Sequence, residues 1–132
     1  MELPEIILGV TGSIAAYKCP EMIRCLKKNG YDVQPVLTKR AEAFVTPLTL
    51  NTLSEKGCYT DSGLSYDPIH ITGGRNAKLL VIAPATANMI AKCANGIADD
   101  LLSSLFLAYT GPKLIVPVMH TEMYENPSTQ RN

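Results

Sequence analysis

Three short apolar runs, EIILGV, KLLVIAP and PKLIVPVM, and a fourth strand-like segment, YDVQPVLT, recur along the 132-residue chain with helix-length stretches between them. Runs that stay apolar at consecutive positions suit strands buried on both faces. Strand and helix alternate throughout, which predicts an α/β fold in which a parallel sheet carries helices on both faces. The length fits one domain, residues 1–132, large enough to bury most of its apolar surface without staples. No internal repeat or low-complexity segment is present.

Composition narrows the function classes. The chain is 46% hydrophobic and 18% charged, and twelve basic residues balance twelve acidic ones. A neutral globular chain gives no electrostatic reason to expect nucleic acid or an anionic membrane as partner. Its apolar stretches fall short of the ~18 residues a membrane span needs, and MELPE lacks a basic signal head. A cytoplasmic setting is expected. Cys19, Cys25, Cys58 and Cys93 show neither C-x-x-C spacing nor a dense framework, so they are expected to be reduced, mostly buried thiols rather than zinc ligands or disulfides.

Local signals place the connecting segments. Ser13 can cap a helix running to about Lys28, with Ile14, Met22, Ile23, Cys25 and Leu26 inward and Asn29-Gly30 closing it. Pro20 inside that span predicts a kink or a distorted first turn. Lys27-Lys28 reads as a solvated helix end. AEAFVTPLTLNTLSEKG reads as helical pieces interrupted by Pro47, residues 58–69 as a surface loop with a short strand, and ATANMIAKCANGIADDLLSSLFLAYTG as one or two helices.

Two strand ends carry small polar residues. Gly9-Val10-Thr11-Gly12-Ser13 sits where a strand gives way to a helix, so backbone N–H groups and the helix dipole favour a phosphate. The turn matches neither G-x-G-x-x-G nor G-x-x-x-x-G-K-[ST], and a ligand-free helix cap is the plain alternative. Pro84-Ala85-Thr86-Ala87-Asn88 repeats the arrangement, with little bulk to keep a flat ring from the backbone. Two such loops at one sheet edge favour a binding crevice. Thr38 ends the second strand at the same edge, and in VLTKR no acidic residue waits for a ribose, whereas Lys39 and Arg40 could reach a phosphate. His70 and His120, the only histidines, stand near strand ends or loops, where either a structural or a catalytic role is open. Asp99-Asp100 reads as a helix cap or anchor, because adjacent helical residues point in different directions.

Taken together, GVTGSIAAYK, His70 in PIHI, LLVIAPATANMIAKCANGIADDLL and PVMHTEMYENPSTQRN resemble, in order, the motifs of the homo-oligomeric flavin-containing cysteine decarboxylases. The nearest resemblance is to the branch that acts on 4′-phosphopantothenoylcysteine in coenzyme A biosynthesis, often the N-terminal half of a fusion with a synthetase. It implies a three-layer flavodoxin/Rossmann-like fold, non-covalent FMN, and trimers or assemblies of trimers with the flavin at a subunit interface. By this resemblance Gly12, Ser13, Ile14 and Thr38 hold FMN, and Thr86, Ala87, Asn88, Met89, Val118 and Met119 make further flavin contacts. It also implies that the cysteinyl thiol is oxidised to a thioaldehyde, CO2 leaves to give an enethiol, and the enethiol is then reduced. His70 matches the active-site base and no metal is implied.

Two departures shape the expectation. His120 stands where the family motif PxMN has the asparagine that binds the substrate carboxylate, and imidazole can still donate a hydrogen bond. The family's substrate-covering flap and its cysteine have no counterpart among these residues, which predicts FMN binding with a poorly completed catalytic cycle. Other readings are a non-catalytic flavin-binding subunit, a peptidyl-cysteine decarboxylase, a flavin prenyltransferase of similar fold and a Rossmann-type nucleotide binder. The prenyltransferases typically carry a more Ser- and Cys-rich loop in place of PATAN.

Overall fold

The computed structural model describes residues 2–62 and 77–132. Strands β1 (Glu5–Val10), β2 (Asp32–Leu37), β3 (Tyr59–Thr60), β4 (Ala77–Ala85) and β5 (Lys113–Pro117) form one sheet in the order β3-β2-β1-β4-β5. Every pairing is parallel. The helices are α1 (Cys19–Lys28), α2 (Pro47–Ser54), α3 (Ala87–Asn95), α4 (Leu101–Ala108), α5 (Thr121–Glu125) and α6 (Pro127–Arg131). Short 3-10 turns precede α1 at Ile14–Lys18 and α2 at Arg40–Ala43.

Alternation along the strands builds two cores, one on each face of the sheet. Ile6, Leu8, Val10, Val33, Leu37, Val81 and Ala83 face Ala16, Cys19, Ile23, Ala41 and Leu50. Ile7, Val36, Leu80 and Ile82 face Met89, Leu101, Leu102 and Leu105. The result is the three-layer flavodoxin/Rossmann-like arrangement, with the Rossmann strand order. Gly9 permits one close contact in it: a β-carbon built there would come within 2.5 Å of Leu102 Cδ1. The missing side chain lets α4 settle against the middle of the sheet.

Pro20 falls in the first turn of α1, where a missing N–H costs no helical bond. The expected distortion is the 3-10 segment before it, which Ser13 caps by accepting from the Ala15 N–H at 3.2 Å. Pro47 likewise opens α2, which divides this segment into the two helical pieces expected, and Thr46 caps that start. Gly30 ends the α1 turn at φ +89°, a left-handed conformation open to glycine.

Four expectations need correction. Ile14 is 72% exposed, because the 3-10 turn rotates it off the inner face that a continuous helix would give it. Cys25 is exposed as well, and of the four free thiols only Cys19 is fully buried. Lys27 is no plain solvated end: its Nζ donates to Leu53 O at 3.2 Å and Ser54 O at 3.3 Å and pairs with Glu55 at 2.7 Å, fastening α1 to the end of α2. The last apolar run forms an edge strand in which no residue is buried, with Leu114 49% and Val116 39% exposed. Ile115 packs against the α3/α4 core, while the α1/α2 layer leaves the other face of β5 open.

Candidate functional site

The chain runs outward from β1 through β2 to β3 and then returns to place β4 on β1's other side. At such a reversal the loops leaving the two central strands diverge and leave a crevice beyond their carboxyl ends. A cleft of about 690 Å³ lies there, bordered by Thr11, Gly12, Thr38, Thr86, Ala87 and Asn88, within the ~300–1,000 Å³ usual for cofactor sites. Lys39, Arg40, Asp61, Met89, Lys92, Asp99, Asp100 and Met123 complete its wall.

Thr11 joins the two loops. Its hydroxyl donates to Pro84 O at 2.5 Å and accepts from the Thr86 N–H at 3.1 Å. Val118 N–H donates to Ala85 O at 3.1 Å, so the turn after β5 is tied to the same loop. Thr86 caps α3, its Oγ1 accepting from the Met89 N–H at 3.2 Å. Thr38 is buried, and its Oγ1 accepts from the Ala41 N–H at 3.3 Å. The Gly12 N–H meets no acceptor among the described residues. A β-carbon at position 12 would lie 2.5 Å from Arg40 Cγ, so the bare glycine makes room for the Arg40 stem.

A second group of charges closes the far wall. Lys92 Nζ lies 2.9 Å from Asp99 and 3.5 Å from Asp100. The hydrogen bond from Lys92 holds the Asp99 carboxyl below its ordinary range, and the same bond holds Lys92 above its own. Asp100 caps α4 by accepting from the Ser103 N–H at 2.7 Å, in agreement with the anchoring role read from the sequence. Asp61 accepts from the Leu101 N–H through Oδ1 at 2.7 Å and from the Lys39 N–H through Oδ2 at 3.3 Å. One carboxylate thus fastens the ends of β2, β3 and the start of α4 together.

Of the residues singled out in the sequence, Gly12, Thr38, Thr86, Ala87, Asn88 and Met89 border the cleft. Met89 does so mainly by filling the core behind it, being 2% exposed. Ser13 and Ile14 lie outside the lining, the first acting as a cap and the second exposed. Val118, Met119 and His120 also stand apart from the lining, whereas Met123 of α5 reaches it. His70 lies outside the described residues. Thr11, Asp61 and Lys92 were not singled out: Thr11 adjoins Gly12, but Asp61 finds its partners 22 and 40 positions away, which no local pattern reveals. No group of metal ligands occurs among the described residues, and no helix there is long and apolar enough to cross a membrane.

The α/β crevice, small-residue walls and uncommitted backbone donor define a cofactor-binding domain. The flavoprotein family model matches residues 1–132, and the chain belongs to that family. The coenzyme A biosynthesis bifunctional protein CoaBC of Escherichia coli strain K12 is 43% identical over 134 residues, covering 97% of this chain and 32% of its own length. The chain thus spans about a third of that bifunctional relative. A probable phosphopantothenoylcysteine decarboxylase of Streptococcus mutans is 43% identical over 97% of this chain and 74% of its own length. The crystal structure of the FMN-dependent cysteine decarboxylase SpaF superposes with a TM-score of 0.87 at 32% identity, over 96% of this chain and 75% of that one. The cofactor class is a flavin, and the residues present fit one: small side chains admit a ring, and the Gly12 N–H meets no acceptor among the described residues.

Proposed function

We propose that this chain is the FMN-binding domain of a decarboxylase that converts 4′-phosphopantothenoylcysteine to 4′-phosphopantetheine and CO2 in coenzyme A biosynthesis. The observation that carries this reading is the 43% identity to a probable phosphopantothenoylcysteine decarboxylase spanning 74% of that protein's length. The cleft agrees with it, since the small residues of both loops open onto one space.

In this reading Gly12, Ser13, Ile14 and Thr38 serve the phosphate and ribityl end of FMN. Thr86, Ala87, Asn88 and Met89 serve the ring, together with Val118 and Met119 from the turn tied to Ala85. The flavin supplies a two-electron acceptor for the cysteinyl thiol and afterwards a donor for the decarboxylated product. His70 takes the thiol proton as general base, a task for a group that titrates near neutral pH. His120 donates a hydrogen bond to the substrate carboxylate and so holds the breaking C–C bond in place.

The assembly is read as a homotrimer or a set of trimers. The open face of β5, with Leu114 and Val116 exposed and Val118 exposed just beyond it, suits burial against a second copy of this chain. A fused or separate synthetase domain is the partner suggested by the bifunctional relative, and the setting is cytoplasmic.

The test is His70→Asn in the full-length protein. It should retain the FMN absorption spectrum and lose CO2 release from phosphopantothenoylcysteine. Loss of flavin together with activity would reassign His70 to a structural role. CO2 release from a cysteine-terminated peptide, with none from phosphopantothenoylcysteine, would redirect the assignment to a peptidyl-cysteine decarboxylase.

A further inference from the structure

The walls of the cleft meet at the first turn of α4. Parallel pairing of Leu37 with Thr60 carries Asp61 into register beside Thr38, one step beyond the end of β3. From there its Oδ1 accepts the Leu101 N–H at 2.7 Å and its Oδ2 the Lys39 N–H at 3.3 Å. Leu101 opens α4, so its N–H has no acceptor inside the helix, and a carboxylate at that place also meets the positive end of the helix dipole. From the other side Lys92 of α3 holds Asp100, whose Oδ1 takes the Ser103 N–H. Residues 38–43, which follow β2, make no hydrogen bond of their own to α4 among the described residues, so Asp61 is the link between them. Both segments that it joins carry cleft residues, Thr38 on one side and Asp99 and Asp100 on the other. Asp61 itself is exposed and belongs to neither core.

We infer that Asp61 is a positioning residue of the flavin site, setting the width of the cleft by clamping the turn after β2 to the start of α4. Each of its oxygens already serves a backbone donor, so it acts through the two segments it holds and not through contact with the cofactor. Segments ordered before the flavin arrives need not be immobilised afterwards, which lowers the cost of binding. The inference rests on the flavin class of the cofactor and on no step of the proposed reaction.

The experiment compares the full-length protein with its Asp61→Ala and Asp61→Asn variants. Alanine serves neither donor, whereas the carboxamide has one oxygen to offer and turns its NH2 toward the other N–H. FMN titrated by fluorescence quenching should bind about tenfold more weakly to Asp61→Ala, with Asp61→Asn between it and the unaltered protein. Amide hydrogen exchange of the flavin-free proteins separates a loosened clamp from a general loss of stability. The Lys39 and Leu101 amides should exchange about tenfold faster in Asp61→Ala, while those of the buried Ile7 and Leu80 in the central strands change far less.

Undiminished FMN affinity in Asp61→Ala overturns the inference, because the clamp would then be irrelevant to the cofactor. So does weaker binding with the Lys39 and Leu101 amides unchanged, which would make Asp61 a direct flavin contact. Equal acceleration of all four amides overturns it as well and leaves Asp61 a general stabiliser of the fold. If Asp61→Ala fails to fold, Asp61→Asn decides by the same comparisons.

Discussion

Thr86 donates its backbone N–H to Thr11 Oγ1 at 3.1 Å, and this bond spans the boundary between the two halves of the sheet. The same Thr11 hydroxyl donates to Pro84 O at 2.5 Å while being almost wholly buried. Valine matches its shape but can serve neither group. Thr11→Val should therefore lower stability by about 1–3 kcal/mol in urea unfolding and weaken flavin binding, while Thr11→Ser should change little. A Thr11→Val protein as stable as the original would show that the hydroxyl does not hold the loops.

Glu5 at the start of β1 is 3% exposed, and its Oε2 pairs with Lys56 Nζ at 2.7 Å. Its Oε1 is buried without a hydrogen-bond partner among the described residues. Removing the cation leaves a buried carboxylate uncompensated. Lys56→Met is expected to cost about 3 kcal/mol, and Lys56→Met/Glu5→Gln to recover much of that loss, as measured by chemical denaturation.

Burial pushes the Cys19 and Cys93 thiols up to about 11 and the Cys58 thiol up to about 12. A thiol with a pKa near 11 is about one part in a thousand thiolate at pH 8, so these three should resist iodoacetamide in the native protein. Mass spectrometry should find the exposed Cys25 modified first, and all four once urea is added. The linkage has a definite sign: a raised thiol pKa favours the folded state fully below the ordinary thiol value of 9.0, and that contribution is lost as pH rises toward 11 and 12. Thermal unfolding should therefore fall between pH 9 and 12, less steeply in Cys58→Ala.

Leu114 of β5 is 49% exposed, more than its neighbour Val116 at 39%. If a second copy of the chain covers it, Leu114→Glu places a charge in that contact. Light scattering should then report a smaller species than the unaltered protein, with secondary structure retained. An unchanged mass would locate the assembly contact elsewhere.

The β1 and β4 strands were legible because their apolar runs are nearly contiguous, as a parallel sheet covered on both faces demands. The same composition misled for PKLIVPVM, since apolar residues at a sheet edge look like core until the neighbouring layers are seen to stop short of them. Gly12 and Thr86 could be read as site residues from their place between strand and helix. Ile14 could not be placed, because the choice between a 3-10 and an α turn moves it from inward to outward with no change in sequence. Asp61 acts through partners brought near only by the closed sheet, so its neighbours in the chain carry no trace of the role.

The strand order also sets a timetable for synthesis. β1 leaves the ribosome before the other strands, yet its partner β4 follows only after β2 and β3, so one edge of β1 keeps its backbone N–H and C=O groups unpaired while β4 is still unmade. One wall of the cleft is translated long before the other. A flavin can therefore act as a template only for closing the sheet, and a nascent chain paused before β4 would offer chaperones an uncapped strand in place of a binding site.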